Sequence, residues 1–352
     1  MIFDCVLFFN ELDLLKIRLE ELRDVVDRFV LVEATRTFSG ARKPLYFQGY
    51  RELFSEYADR ITHHVVSDLP QFAGSSRWRR ENHQRDAIGV ALVRAGCKPS
   101  DVVLVSDVDE LPCSSKIPEA LALLESHDLV VFEQVVHQYY VNNIPEHRWL
   151  GTIACRYDFL RTFGSVQKLR FGDNEASRRA GIVLSKPNIE RKYPHLANGG
   201  WHLSFFGGPD AVLYKQQSYA HCERDPTANR QLPYVRFNIG LSKLVDNHGR
   251  SARPGSTVRR NFAVDCRLPR YLSENRELFA HFFEPLNGRE EDNRTEWYGA
   301  DYNARRRLYA RIELVIDTMG RFPWRRFPRV RAAFRRAIIL VNTCLQKRVS
   351  LL

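Results

Sequence analysis

The stretch "DVVLVSDVDELP" (residues 101–112) decides how this chain is read. Five of the six residues from Val102 to Asp107 are apolar or small, and then Asp107, Asp109 and Glu110 crowd into four positions. The pattern is that of a buried strand ending on charge. Two readings fit it: a solvated loop that caps the next helix, or a metal site. In an extended segment residues i and i+2 point to the same side, so Asp107 and Asp109 can face one ligand. Two carboxylates, completed by water and substrate phosphate, suit Mg²⁺ or Mn²⁺.

Working outward, apolar runs alternate with helical spacing. "IFDCVLFF" (2–9), "RFVLVEA" (28–34), "RITHHVV" (60–66) and "DLVVFEQVVHQ" (128–138) read as strands. Leu12, Leu15, Leu19, Leu22 and Val26 mark one face of a helix over 11–26. A long helix is expected over 75–96, closed by Gly96, and another in "KIPEALALLE". This alternation predicts the α/β class: a Rossmann-like, mostly parallel sheet flanked by helices. Such sheets bind ligands at the carboxyl ends of their strands, where Asn10, Glu11, Glu33, Asp107 and Asp109 all fall. Beyond residue 140 the aromatic- and glycine-rich sequence suggests antiparallel strands and binding loops, with a helix over 209–221.

With 352 residues, 44% apolar and 12% aromatic, the chain can pack a core, which excludes wholesale disorder. Its seven cysteines are scattered without a CxxC pair, as expected of reduced thiols in a cytoplasmic protein. "MIFDCVLFFNELD" has no basic region and only a short apolar run, so no secretory signal is expected. The net charge of +11 is uneven: residues 304–352 hold thirteen Arg and Lys against Glu313 and Asp317. The basic character therefore belongs to a tail. There is no GxxxxGK[ST], no GxGxxG after a strand and no GxSxG, which disfavours P-loop, dinucleotide and serine-hydrolase chemistry.

Four blocks in order, "FNELDLLKIRLEEL", "VDRFVLVEATRTFSGARKPL", "DVVLVSDVDELP" and "GGWHLSFFGG…YKQQSYAHCE", resemble glycosyltransferase family 17. The resemblance covers roughly residues 2–285. It implies a GT-A fold, an inverting mechanism, a UDP-sugar donor with GlcNAc as the prior, and a divalent cation. It maps the family's DxD onto Asp107 and Asp109, and the acidic and basic residues of the second block onto Glu33 and Lys43. On this basis residues 1–300 are expected to form the GT-A domain, with 1–135 as the nucleotide-sugar half and 136–300 as the acceptor half. Residues 301–352 are expected to form a basic amphipathic helical C-terminal segment.

Each further candidate has a blander reading beside it. Glu33 either contacts uracil or ribose or is a helix N-cap or surface acid, and Arg36 or Lys43 is placed to approach the diphosphate. Asn82, Arg85 and Asp86 either meet the donor together or form a solvated helix face. His202 either joins the metal as a nitrogen ligand or is structural. Trp149 and Trp201 either stack on an acceptor sugar or pack in the core. An inverting transfer needs a carboxylate base near the acceptor hydroxyl. Glu223 in "KQQSYAHCE" is the first candidate, and Asp210 at the start of the preceding helix its rival, with a helix-dipole role as the alternative.

In the tail, Phe327, Val330, Phe334, Ile338 and Val341 recur at three- and four-residue steps among arginines. That fits a docked helix or attachment to an anionic membrane surface, and nucleic acid is disfavoured. The expected partners are a UDP-sugar donor and a saccharide or glycolipid acceptor, at a cytoplasmic location that includes the inner face of a membrane. The competing classes are a metal-dependent nucleotidyltransferase and a non-enzymatic, basic-tailed binding protein.

Overall fold

The fold is that of a computed structural model, which describes residues 1–71, 77–141, 144, 148–171, 193–220 and 268–283. All of them lie in one compact unit spanning Met1–Cys222 and Arg259–Phe283. The expected basic helical tail (301–352) and the candidate base Glu223 lie outside the described residues.

Strands β1 (Ile2–Phe8), β2 (Arg28–Ala34), β3 (Ile61–Val66) and β4 (Val102–Asp107) form the parallel half of an eight-stranded sheet. β5 (Glu110–Pro112), β6 (Leu129–Gln138), β7 (Arg148–Arg156) and β8 (His195–Ser204) complete it in the order β3-β2-β1-β4-β7-β6-β8-β5. β7 runs antiparallel to both β4 and β6, while β8 is parallel to β6 and antiparallel to β5. The mixed, mostly parallel α/β class expected from the alternating runs is the one observed, including the antiparallel turn of the chain after residue 140.

Side chains of the parallel strands sort by parity into two cores. Phe3, Cys5 and Leu7 of β1, with Val103 and Val105 of β4, pack on Ile88, Ala91 and Leu92 of helix α3 (Arg77–Arg94). Val6 and Phe8, with Leu104, pack on Leu14, Leu15 and Leu19 of α1 (Leu12–Leu22). Both strand faces are therefore covered, which explains why these strands read as unbroken apolar runs. α3 begins and ends within two residues of the expected helix, and Gly96 adopts a positive φ of 75° just past it.

The same parity fixes the polar residues. Asp4 and Ser106 take the α1 face, and Asp107 takes the α3 face. β4 and β1 are in register with Leu7 opposite Asp107, so the acid stands at the carboxyl rim. The short helices α2 (Tyr46–Gly49), α4 (Ile117–Leu123), α5 (Tyr157–Phe163) and α6 (Val166–Phe171) fill connections. α7 (Gly208–Ser218) follows β8 as expected, and α8 (Arg270–Glu274) packs near α1. Among the described residues no helix is long and apolar enough to cross a membrane.

Candidate active site

The segment Asp107–Glu110 is not the straight extended run that i, i+2 alternation assumes. β4 ends at Asp107, Val108 and Asp109 form a turn, and β5 begins at Glu110. The two aspartates consequently meet different neighbours. Asp107 accepts from Arg85 (2.7 Å to Oδ1), which also binds Glu81 at 2.8 Å, and Arg170 of α6 lies 3.4 Å from its Oδ2. Burial opposes its charge, but Arg170 and Arg85 outweigh that and hold the carboxyl well below the usual range. Asp109 faces the other way, with its Oδ2 2.7 Å from Lys215 Nζ and 3.9 Å from His202 Nε2. Burial again opposes ionisation, and Lys215 and His202 keep the carboxyl low. Each aspartate feels the charge of Lys215, so the two belong to one electrostatic site.

Beneath the turn lies Arg18, a fully buried residue of α1. It binds Asp4 through Nε (2.7 Å) and NH2 (2.6 Å) and Ser106 Oγ at 2.6 Å. Its NH1 donates to the carbonyls of Glu110 (2.9 Å) and Asp107 (3.3 Å). Glu110 is equally occupied: it accepts from the Asp107 amide (2.9 Å), from Trp149 Nε1 (2.7 Å) and from Arg170 at both oxygens. The turn is thus held on every side by hydrogen bonds to buried or half-buried groups.

His202 reaches the site because β8 pairs with β5, placing His202 opposite Glu110. The glycines before it have a steric reason. A Cβ at Gly200 would come 2.1 Å from the Leu111 carbonyl, and its φ of 147° suits glycine alone. Trp149 tilts over His202 with centroids 4.9 Å apart. Trp201 points the opposite way from His202 and packs in the apolar core at 8% exposure, which is the core alternative to acceptor stacking.

The rim around Asn10 and Glu11 joins the site through Lys215, which lies 3.3 Å from Glu11 Oε1. The other Glu11 oxygen accepts from the Asn10 (3.1 Å) and Phe9 (3.3 Å) amides. Phe9 stacks on Tyr214 of α7 at 5.1 Å. Glu33, by contrast, is fully buried. It accepts from the first two amides of α2, Tyr46 (2.6 Å) and Phe47 (3.3 Å), pairs with Lys43 at 3.0 Å and lies 3.1 Å from His63 Nε2. These four partners use its lone pairs in the fold, so the capping alternative describes Glu33 and leaves no free acceptor for a nucleoside. Lys43 is consumed in the same cluster, and burial pulls its ammonium pKa down despite Glu33.

The helical trio separates. Arg85 turns inward to Asp107, while Asp86 is exposed and accepts from Ser165 Oγ (2.8 Å) and the Gln167 amide (3.0 Å) at the start of α6. Adjacent helical residues lie about 100° apart, which is why the two diverge. Asn82 has a buried Oδ1 with no partner among the described residues. Asp210 is exposed in the first turn of α7, about 140° around that helix from Lys215, and so does not share its site-facing side.

Three residues of the site were not singled out from sequence: Arg18, Arg170 and Lys215. Arg18 carried a usable signal, since it follows Leu14 by four positions and so sits on the apolar stripe of α1, facing a strand that contains Asp4. Arg170 and Lys215 come from distant segments and carried none.

Among the described residues no group of three or more His, Cys, Asp or Glu side chains is gathered for a metal. Asp109 Oδ2 and His202 Nε2, 3.9 Å apart, are nevertheless spaced so that one cation at about 2.0–2.2 Å from each can bridge them. His202 Nδ1 is buried without a partner among the described residues. Asp107 is a weaker candidate ligand, because Arg85 and Arg170 already hold its oxygens. The pair that fits a metal is therefore Asp109 with His202.

Comparison with known proteins bears on this half of the sheet. The model for glycosyltransferase family 17 matches residues 1–150. The β-1,4-mannosyl-glycoprotein 4-β-N-acetylglucosaminyltransferases of Rattus norvegicus and Homo sapiens are each 24% identical over 302 residues, covering 78% of this chain and 53% of the relative. The chain thus spans about half the length of the curated relatives it matches. Among solved structures, 4-diphosphocytidyl-2C-methyl-D-erythritol synthase aligns at 12% identity and a TM-score of 0.34 over 61% of this chain and 97% of that one. TarS from S. aureus aligns at 13% identity and a TM-score of 0.28, over 70% of this chain and 66% of that one. The match to the family 17 model spans the first 150 residues, which carry β1 to β4 and the Asp107–Asp109 turn.

Proposed function

We propose that the chain is a glycosyltransferase that moves a sugar, with GlcNAc as the prior, from a UDP-sugar to a saccharide acceptor by an inverting, metal-dependent route. The observation that carries this reading is the Asp107–Asp109 turn at the carboxyl rim of β4, inside the segment that matches family 17 and ringed by Arg85, Arg170 and Lys215. The relatives named above as N-acetylglucosaminyltransferases supply the sugar prior.

In this reading Asp109 and His202 hold Mn²⁺ or Mg²⁺. The bound cation would neutralise the charge that develops on the departing UDP. Arg18 keeps the turn carbonyls fixed so that both aspartates hold their directions without rearrangement. Arg85 and Arg170 keep Asp107 ionised. The half-buried rim of Asn10, Glu11, Phe9 and Tyr214 is the proposed nucleoside side, and Trp149 beside His202 is the proposed acceptor side. The base is proposed to be Glu223. A lipid-linked or surface-polysaccharide precursor is the proposed acceptor, with the basic tail attaching the protein to an anionic membrane surface.

The test is a thermal-shift panel of nucleotide sugars and nucleoside triphosphates, with and without Mn²⁺. A UDP-sugar shift that requires Mn²⁺ and is lost in Asp109→Asn supports the reading. Stabilisation by nucleoside triphosphates alone sinks it in favour of a nucleotidyltransferase.

A further inference from the structure

Lys215 reaches from α7 into the heart of the site and touches two acids there, Asp109 Oδ2 at 2.7 Å and Glu11 Oε1 at 3.3 Å. The Asp109 oxygen it binds is also the one that faces His202 Nε2 at 3.9 Å. A single carboxylate oxygen is therefore the meeting point of the ammonium and of the Asp109–His202 pair that fits a divalent cation. Two positive charges within about 4 Å of each other repel strongly in a partly desolvated site. The ammonium and the metal cannot both take that oxygen at full strength.

We propose that Lys215 is a displaceable counter-ion: it competes with the divalent cation for Asp109, and once displaced it pairs with the diphosphate of the donor. The inference rests on the glycosyltransferase reading and adds a donor-binding residue to it. Three features carry it. Lysine is a compact point charge on a flexible four-carbon stem, suited to move between partners where an arginine fork would not. Its side chain is a quarter exposed, so the ammonium swings along the rim without crossing the core. The other acid of the motif, Asp107, is already bound by Arg85 and Arg170, so the displaced ammonium keeps only the longer contact to Glu11 and is one negative charge short. An incoming diphosphate supplies the missing negative charge. Metal and donor then favour each other's binding, because the metal frees the cation that the donor uses.

The experiment is a titration of the full chain with Mn²⁺, followed by electron paramagnetic resonance of the free ion, with and without UDP. Wild type is compared with Lys215→Met, Lys215→Arg and Asp109→Asn, each checked for a native circular-dichroism melt. Without UDP, Lys215→Met is expected to bind Mn²⁺ about ten-fold tighter than wild type, a change of one competing charge. UDP is expected to tighten Mn²⁺ binding several-fold in wild type, but far less in Lys215→Met, which has no charge to hand over, and in Lys215→Arg, whose fork stays on Asp109. Unchanged or weaker Mn²⁺ affinity in Lys215→Met overturns the proposal. If Asp109→Asn still abolishes binding in that case, the metal reading survives and only the role of Lys215 falls. Absence of Mn²⁺ binding in wild type and Lys215→Met alike, with or without UDP, overturns both. Should Lys215→Met not fold, Lys215→Gln is read against the same expectations.

Discussion

Arg18 grips Asp4 through two parallel bonds of 2.7 and 2.6 Å, both residues being almost completely buried. The remaining guanidinium nitrogen holds the carbonyls of the Asp107–Glu110 turn. Removing one partner of such a pair strands a buried charge and costs about 3–5 kcal/mol. Arg18→Met is therefore expected to lower unfolding stability by about that amount in urea titration. Adding Asp4→Leu should recover much of the loss, since no charge remains buried. The proposed transferase activity should stay low in the double variant, because the turn has still lost its anchor. Full recovery of activity would show that Arg18 matters only for stability.

Asp107 and Asp109 differ in what their loss leaves behind. Asp107→Asn removes the counter-charge of two buried guanidiniums, Arg85 and Arg170, although Glu81 and Glu110 remain to them. A loss of about 2–3 kcal/mol is expected, below the full cost of an unpaired buried charge. Asp109→Asn leaves Lys215, which is more exposed and still paired with Glu11, so its cost should stay under about 1 kcal/mol. The proposed metal binding should follow the reverse order, with Asp109→Asn the more damaging. Calorimetric unfolding beside Mn²⁺ titration of both variants checks the pairing, and equal effects on both readouts would refute it.

Much of this arrangement was legible from sequence because it depends on short-range patterns. Unbroken apolar runs and helical spacing located β1 to β4, α1 and α3, and strand ends located the rim. The turn at Val108–Asp109 was not legible, because it is imposed by Arg18 from below and by β5 pairing with β8, both remote in the chain. The candidates that the geometry separates from the rim share that cause. Glu33 stands at a strand end like Asp107, but the 43–47 segment folds over it and takes its lone pairs. Asp86 neighbours Arg85, yet α6 arrives on its side of the helix and is capped by it. Lys215 was invisible because only the tertiary fold brings α7 to the end of β4.

Gly200 supplies a test of the strand pairing that carries His202. An added Cβ would sit 2.1 Å from Leu111 O and 2.8 Å from the Cys113 amide nitrogen, and the backbone φ of 147° is strained for any L side chain. Overpacking and backbone strain together are expected to cost about 3–4 kcal/mol in Gly200→Ala. The loss should separate β5 from β8 and so carry His202 away from Asp109. Gly89→Ala on the open side of α3, where nothing lies within 4 Å, serves as the control and should be neutral or slightly stabilising. Native-like thermal stability of Gly200→Ala would contradict the close approach.

His137 gives the fold a pH dependence of its own. It is almost fully buried on β6, donates from Nδ1 to Val141 O at 2.6 Å, and has no partner for Nε2 among the described residues. Burial disfavours its charged form most strongly, with His202 and Arg148 adding to the effect against the Val141 bond, and the pKa falls to about 4. The unfolded chain therefore binds a proton at this position that the folded chain refuses between about pH 6.5 and 4. The stabilising contribution is fully present above the unfolded value and is lost as pH falls through that window. The total is about 3.5 kcal/mol, from the fall from 6.5 to about 4 at about 1.4 kcal/mol for each pH unit. Denaturation of wild type should show stability declining by that order from pH 6.5 to 4, beyond the trend of the acidic groups. His137→Gln keeps a donor to Val141 and removes the titration, so its decline over the same window should be shallower by that amount. Parallel pH profiles for the two proteins would mean that His137 is protonated in the fold.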